Sequence, residues 1–158
     1  MRRPWNLIDV PVYSLTTYTE SQVNMNICTY VSVVSMKPKM YAIAIDYHSQ
    51  TYQNLLVSDT CVLQLLQIEQ TDIVKPLGKK SGKNYDKTSY LHKRKLLTQW
   101  DGLTVLKGTN AWIRLAKMHQ LNVDGDHELF FFTVEKFKVN AEENVLMFQE
   151  LIRQGVIL

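Results

Sequence analysis

Two cysteines in a chain of 158 residues are too few for a disulfide framework or a four-ligand zinc set. Cys28 and Cys61 both sit in apolar stretches and read as small buried hydrophobes of a reducing compartment. No apolar run approaches the length of a membrane span. The first ten residues, MRRPWNLIDV, are interrupted by Pro4, Asn6 and Asp9, which argues against a usual signal peptide. The expected location is therefore cytoplasmic. There is no G-x-G-x-x-G, which excludes a Rossmann dinucleotide domain. His92 lies in a basic run and His119 in a strand pattern without partner motifs, so no metal site is expected. Fixed-period repeats, low-complexity tracts and linkers are also missing, and a single domain over 1–158 is the expectation.

What the chain does contain is a series of short β-patterned runs. Ser14 to Tyr18 reads as a first strand, and the β-branched Asn26 to Ser35 as a second, apolar on both faces and therefore walled on both sides. MKPK is a turn and MYAIAID a third strand. Ser49 caps a short helix, QTYQNLLVS, with Tyr52, Leu55 and Leu56 at helical spacing. CVLQLL returns to strand, and Thr71 to Leu77 is a short helical turn closed by Gly78. LTVLKG, AWIRLAKMHQLNV and ELFFFTVEKFKV give three more strands, the last two joined by the turn Asp124 to His127. A helix is expected over Glu143 to Gln154, ended by Gly155. The fold class is mainly β with short helices, in the form of a small antiparallel barrel.

Seven of the chain's 18 cations fall between Lys79 and Lys95, opposed there only by Asp86, although the whole chain carries only +3. One basic loop on a slightly acidic body suits a local anion rather than a nucleic acid spread along a face. Its core, PLGKKSGKNYDKTS, is not a nucleoside-triphosphate loop. Gly78 and Gly82 are one residue too close, and Asn84 stands where the magnesium-binding hydroxyl belongs. Polar side chains gather at the strand ends: Thr16, Thr17, Asn24, Asn26, Thr29, Ser32 and Ser35, then Tyr47, His48, Ser49, Gln50, Thr51 and Asn54. Such hydroxyls and amides are donors for a phosphate or a polar heterocycle edge. With the lysine loop, they favour a phosphate-bearing ligand.

Over roughly Pro11 to Leu158 the order of motifs resembles the flavin reductase-like family of FMN-binding split barrels. The resemblance rests on VYSLTTYTESQVNMNICTYVSVVSMKP, IAIDYHSQTYQNL, GKKSGKNYDK, WDGLTVLKGTNAWI, DGDHELFFFTVEKF and the closing LIRQGVIL. Its strongest pieces are the T-x-x-N of Thr51 and Asn54 and the S-G-K-x-x-D-K of Ser81 to Lys87. It implies an FMN-binding split β-barrel of antiparallel Greek-key type, working as a homodimer with FMN near the subunit interface. It further implies that Thr16 and Thr17 line the isoalloxazine, and that Asn24, Asn26, Thr29 and Ser32 touch the ring edge or ribityl chain. The segment Asp46 to Thr51, with Tyr47, His48, Ser49 and Thr51, would approach the phosphate, and Asn54 completes the T-x-x-N. Lys87 would supply the main positive charge, supported by Ser81 and Tyr85. Lys79, Lys80 and Lys83 would be solvated or steer an anionic nicotinamide cofactor. His127 would stand beside the open flavin face as the catalytic-site histidine. Cys28 and Tyr30 replace the proline and serine that some members carry.

The implied activity is NAD(P)H-dependent reduction of FMN, in which the cofactors supply the hydride chemistry and the protein positions them. Tyr18, Tyr30, Val33 and Tyr47 are candidate apolar walls for the ring. Trp5, Leu7 and Phe130 to Phe132 exceed what one small barrel buries comfortably, which points to a C2 partner. Two other readings use the same barrel. One is a flavin-dependent oxidoreductase or electron carrier with another small-molecule substrate. The other is an oligonucleotide-binding barrel, against which the acidic remainder of the chain argues.

Overall fold

The computed structural model describes residues 1–157; Leu158, the last residue of the closing motif, lies outside the described residues. Strands β1 (Tyr13–Tyr18), β2 (Val23–Met25), β3 (Val31–Met36), β4 (Lys39–Asp46) and β5 (Thr60–Leu65) are followed by the hairpin β6 (Leu97–Trp100) and β7 (Leu103–Leu106). The long pair β8 (Ala111–Asn122) and β9 (His127–Val139) completes the β structure. Helices α1 (Gln50–Val57), α2 (Val74–Gly78), α3 (Lys87–Lys93) and α4 (Phe148–Arg153) are all short. Seven strands form one antiparallel sheet in the order β2-β1-β5-β8-β9-β4-β3, with β6 and β7 paired separately. No helix is long and apolar enough to cross a membrane among the described residues.

Of the expected second strand, Asn26 to Ser35, only the part from Val31 is a strand, and a short unexpected strand precedes it at the opposite edge of the sheet. Val23–Met25 pairs with β1 and Val31–Met36 with β4. Residues 26–30 run between them because each edge takes hold in turn. Asn26 accepts from the Leu15 amide at 3.0 Å through its side chain, and Cys28 exchanges backbone bonds of 2.8 and 3.0 Å with Tyr13. The Ala44 amide then donates to the Tyr30 carbonyl at 3.0 Å. The sheet is not closed into a barrel by a ladder between β2 and β3; this crossing segment curls it instead. Nor is β3 walled on both sides, since Val33 and Val34 are 45% and 50% exposed.

Phe130 and Phe132 do not contribute surplus apolar surface. Both are fully buried, their rings 6.2 Å apart, packed with Leu15, Ile43 and Leu115. Trp5 and Leu7 do stay exposed. Sequence patterning gives no expectation of β6 or α3. The β6–β7 turn is Asp101-Gly102, both at positive φ, the geometry that tight hairpins favour. At the C-terminus, residues 143–147 are irregular rather than helical, with single bridges at Val145 and Met147. Asn144 takes a φ of 61°, and Leu146 enters the core, bonded to Leu66 and Val12 at 2.8 and 2.9 Å. Burial of Leu146 outweighs the helical preference of that stretch, and α4 starts only at Phe148.

Candidate functional site

A cavity of about 440 Å³ opens where the crossing segment, the end of β4, the start of α1 and the lysine loop converge. The β4–α1 corner is fixed by the residues that follow Asp46. Its carboxylate accepts from the His48 amide at 2.7 Å, and its carbonyl from the Ser49 hydroxyl at 2.8 Å. Ser49 then caps α1 by accepting from the Tyr52 amide at 3.0 Å. Thr51 thereby faces the cavity, where its hydroxyl meets the Asn24 amide group at 3.3 Å. Both side chains are buried.

The inner end of the cavity is cationic. Lys87, first residue of α3, is 6% exposed and donates to the Leu77 carbonyl at 2.6 Å. Among the described residues no carboxylate pairs with it. Burial lowers its pKa to about 8. An ammonium kept dry beside one carbonyl has N–H donors to spare for an anion. Helix α3 is held in place by the Asp86 cap on the Ser89 amide at 2.9 Å, and by Thr88 donating to the Val23 carbonyl at 2.5 Å. Gly82 explains how the loop reaches the cavity floor: a Cβ there would lie 2.2 Å from Asn24 Oδ1. Only glycine permits that approach.

His127 lines the same cavity from the start of β9, opposite Asp46 in the β4–β9 register. Its Nδ1 lies 2.6 Å from the Asp126 carboxylate, and its ring is 5.3 Å from that of Tyr30. The hydrogen bond and charge of His127 hold the Asp126 carboxyl below the ordinary carboxylate range. Cys28 contributes to an apolar wall, and burial pushes its thiol up to about 12. Tyr30, Ile27, Ala44 and Ile45 extend that wall.

Nine of the residues expected at the site line this cavity: Asn24, Asn26, Thr29, His48, Ser49, Thr51, Ser81, Lys87 and His127. Six do not. Thr16 and Thr17 are fully buried behind it, where Thr16 accepts from Gln64 at 2.7 Å and Thr17 from Asn54 at 3.0 Å. Asn54 is committed to Thr17 and to Gln50, whose amide donates to it at 2.8 Å. Ser32 sits exposed on edge strand β3. Tyr47 turns its ring against Tyr52, 5.1 Å away, and Tyr85 packs between Lys80 and Tyr90. Of the supposed ring walls, Tyr18 is tied to the Thr104 carbonyl at 2.7 Å and Val33 faces outward, leaving Tyr30.

Gly82 belongs to the S-G-K-x-x-D-K and Gln50 to the polar cluster, but neither pattern singles these two out as ligand contacts, and the Leu77 carbonyl has no sequence signal at all; only the fold brings the three here. Lys79 and Lys80 also line the cavity, at its mouth. Among the described residues no cluster of His, Cys, Asp or Glu is arranged to hold a metal ion. The donor set fits a flat, partly apolar body carrying one phosphate: a buried unpaired ammonium and hydroxyl and amide donors at one end, an apolar wall along the side. A volume of about 440 Å³ is in the usual range for a ligand of that kind.

A family model described as the flavin reductase like domain matches residues 5–154. Among solved structures, the chain resembles the NADH:FAD oxidoreductase of Streptomyces globisporus C-1027 with a TM-score of 0.81 and 16% identity, covering 92% of this chain and 85% of that one. It resembles the FMN-binding protein of Thermus thermophilus with a TM-score of 0.77 and 20% identity over 89% and 77% of the two chains. For the styrene monooxygenase flavin reductase of Pseudomonas putida S12 the values are 0.74 and 18% over 90% and 88%. At these identities the likeness is one of fold. Among curated proteins none matches.

Proposed function

The chain belongs to the flavin reductase-like family, and from that premise we propose that it is an NAD(P)H-dependent flavin reductase using FMN, built as one domain over 1–158. The observation that carries the FMN reading is Lys87, a buried cation without a carboxylate, at one end of a cavity with an apolar wall. That arrangement suits a ligand with one phosphate terminus and a planar body. Asn24, Thr51 and Ser49 stand where they would hold the phosphate and ribityl end, and His127 and Tyr30 where they would flank the ring. When bound, the flavin supplies the hydride-accepting ring. The chain's own task is to fix it and to leave one face open toward His127 for a nicotinamide. Neighbours whose names include NADH:FAD oxidoreductase and flavin reductase support the same reading.

We further propose a cytoplasmic homodimer. Tyr30, Val33, Val34 and Met36 form an exposed apolar run that begins at the cavity wall, and Phe137 and Val139 are exposed on β9. A partner covering this run would bring the flavin close to the subunit interface. The test is direct: purified protein is titrated with FMN, then mixed anaerobically with NADH or NADPH while flavin absorbance is followed. Micromolar or tighter binding with rapid bleaching is expected. Protein that binds no flavin would sink the proposal.

A further inference from the structure

One feature of the cavity is not used by a single phosphate. The lysine loop offers cations at two depths. Lys87 is buried at the inner end, whereas Lys79 and Lys80 are exposed at the mouth of the same cavity. Lys83, only three residues on, faces the neighbouring hollow instead. Among the described residues neither Lys79 nor Lys80 forms an ion pair. Their positions are fixed by the fold. The Lys79 amide caps α2 by donating to the Lys75 carbonyl at 3.0 Å. Lys80 rests its ammonium 4.1 Å above the Tyr85 ring. The loop beyond is closed by the Asn84 and Tyr85 amides, which donate to the Ser81 carbonyl at 3.1 and 3.0 Å. Across the mouth, exposed His48 lies 3.4 Å from Asp46, so its surroundings include a carboxylate and the excess positive charge sits on the loop side.

We propose that Lys79 and Lys80 form a second phosphate subsite, one that selects a nicotinamide dinucleotide bearing a ribose 2′-phosphate over one without it. The inference rests on the flavin reductase reading of the cavity. NADH and NADPH share their pyrophosphate and differ only by that added dianion, so a paired cationic rim discriminates between them. Each exposed ammonium acts weakly alone, and two at the mouth of one cavity give about tenfold.

The test uses the FMN-loaded protein and two fragments, adenosine 2′,5′-bisphosphate and 5′-AMP, titrated by calorimetry. The bisphosphate is expected to bind about tenfold more tightly, with the difference abolished in Lys79→Ala/Lys80→Ala. The ratio of kcat/KM for NADPH over NADH should fall by the same factor in that variant. Equal affinities in the unaltered protein, or a preference that survives the double substitution, would overturn the proposal. So would a variant that loses affinity for FAD but not FMN, which would give these lysines to the second phosphate of a flavin dinucleotide. Flavin reduction by neither coenzyme would instead sink the reductase reading, and the fragment titration stands apart from it.

Discussion

Replacing Lys87 with methionine separates what this residue does for the fold from what it does for a ligand, because the two effects have opposite signs. Its pKa falls from 10.5 to about 8 on burial. The unfolded chain therefore binds more protons than the folded one between those values, and stability rises with pH through that window. At neutral pH, keeping the ammonium buried costs about 2–3 kcal/mol after allowance for partial solvation. Lys87→Met removes that cost, while leaving the Leu77 carbonyl without its donor at a cost of about 1–3 kcal/mol. The apoprotein should thus melt at an unchanged or slightly higher temperature. FMN binding should weaken by about 1.5–3 kcal/mol, the value of a charge-assisted hydrogen bond, or roughly tenfold to a hundredfold. Riboflavin, which has no phosphate, should lose little. In the unaltered protein, FMN affinity should decline as pH rises past about 8, where free Lys87 gives up its proton, and the variant should lack that decline. Fluorescence titrations of both flavins between pH 6 and pH 10 measure all of this (the range brackets the titration of a buried lysine, roughly). Equal losses for FMN and riboflavin, or an apoprotein that fails to fold, would refute the reasoning.

Gly82→Ala places a methyl group 2.2 Å from Asn24 Oδ1 and 3.0 Å from Gln50 Cβ, so either the Asn24 amide turns out of its contact with Thr51 or the loop shifts, and both disturb the cavity lining. FMN affinity should fall at least about tenfold with the circular dichroism spectrum unchanged, since the displaced segment is a surface loop. His127→Ala should keep FMN affinity within about threefold yet slow reduction by NAD(P)H roughly tenfold to a hundredfold, as expected of a positioning group. Stopped-flow bleaching checks this, and an unchanged rate would leave His127 a turn residue. Light scattering should give twice the chain mass, and Val34→Glu on exposed β3 should shift it toward the monomer. A monomer with FMN bound would count against the dimer.

Much of this site is legible without coordinates because its residues announce themselves by type and position. Ser49 precedes a helical pattern and does cap α1, and Lys87 lies in the basic S-G-K-x-x-D-K and does line the cavity. What the sequence hides is direction. Thr16 and Thr17 sit in a strand whose interior faces are both occupied, so both hydroxyls turn to buried amides rather than to the cavity. Within the T-x-x-N the two side chains share one face of α1, but the rise of a turn leaves Thr51 at the cavity and carries Asn54 on to Thr17. Asn26 to Ser35 reads as one strand because β-branched and aromatic residues run through it. Only the competing edges of β1 and β4 divide it. The proximity of Gly82 to Asn24 is a contact across 58 residues of chain and leaves no local trace.

The division of residues 23–36 bears on the protein's fate when it is alone and dilute. Both outer strands of the seven-stranded sheet come from this one run of chain, so the whole burden of guarding the sheet's margins falls on fourteen residues. β2 is short, and α3 packs beside it through Thr88. β3 is longer and richer in valine, with a register shift between Val33 and Ser35 and the turn Lys37-Pro38 as its gatekeepers. An uncovered β3 is a template for another strand, and the first misassembly of this protein is expected there, edge against edge.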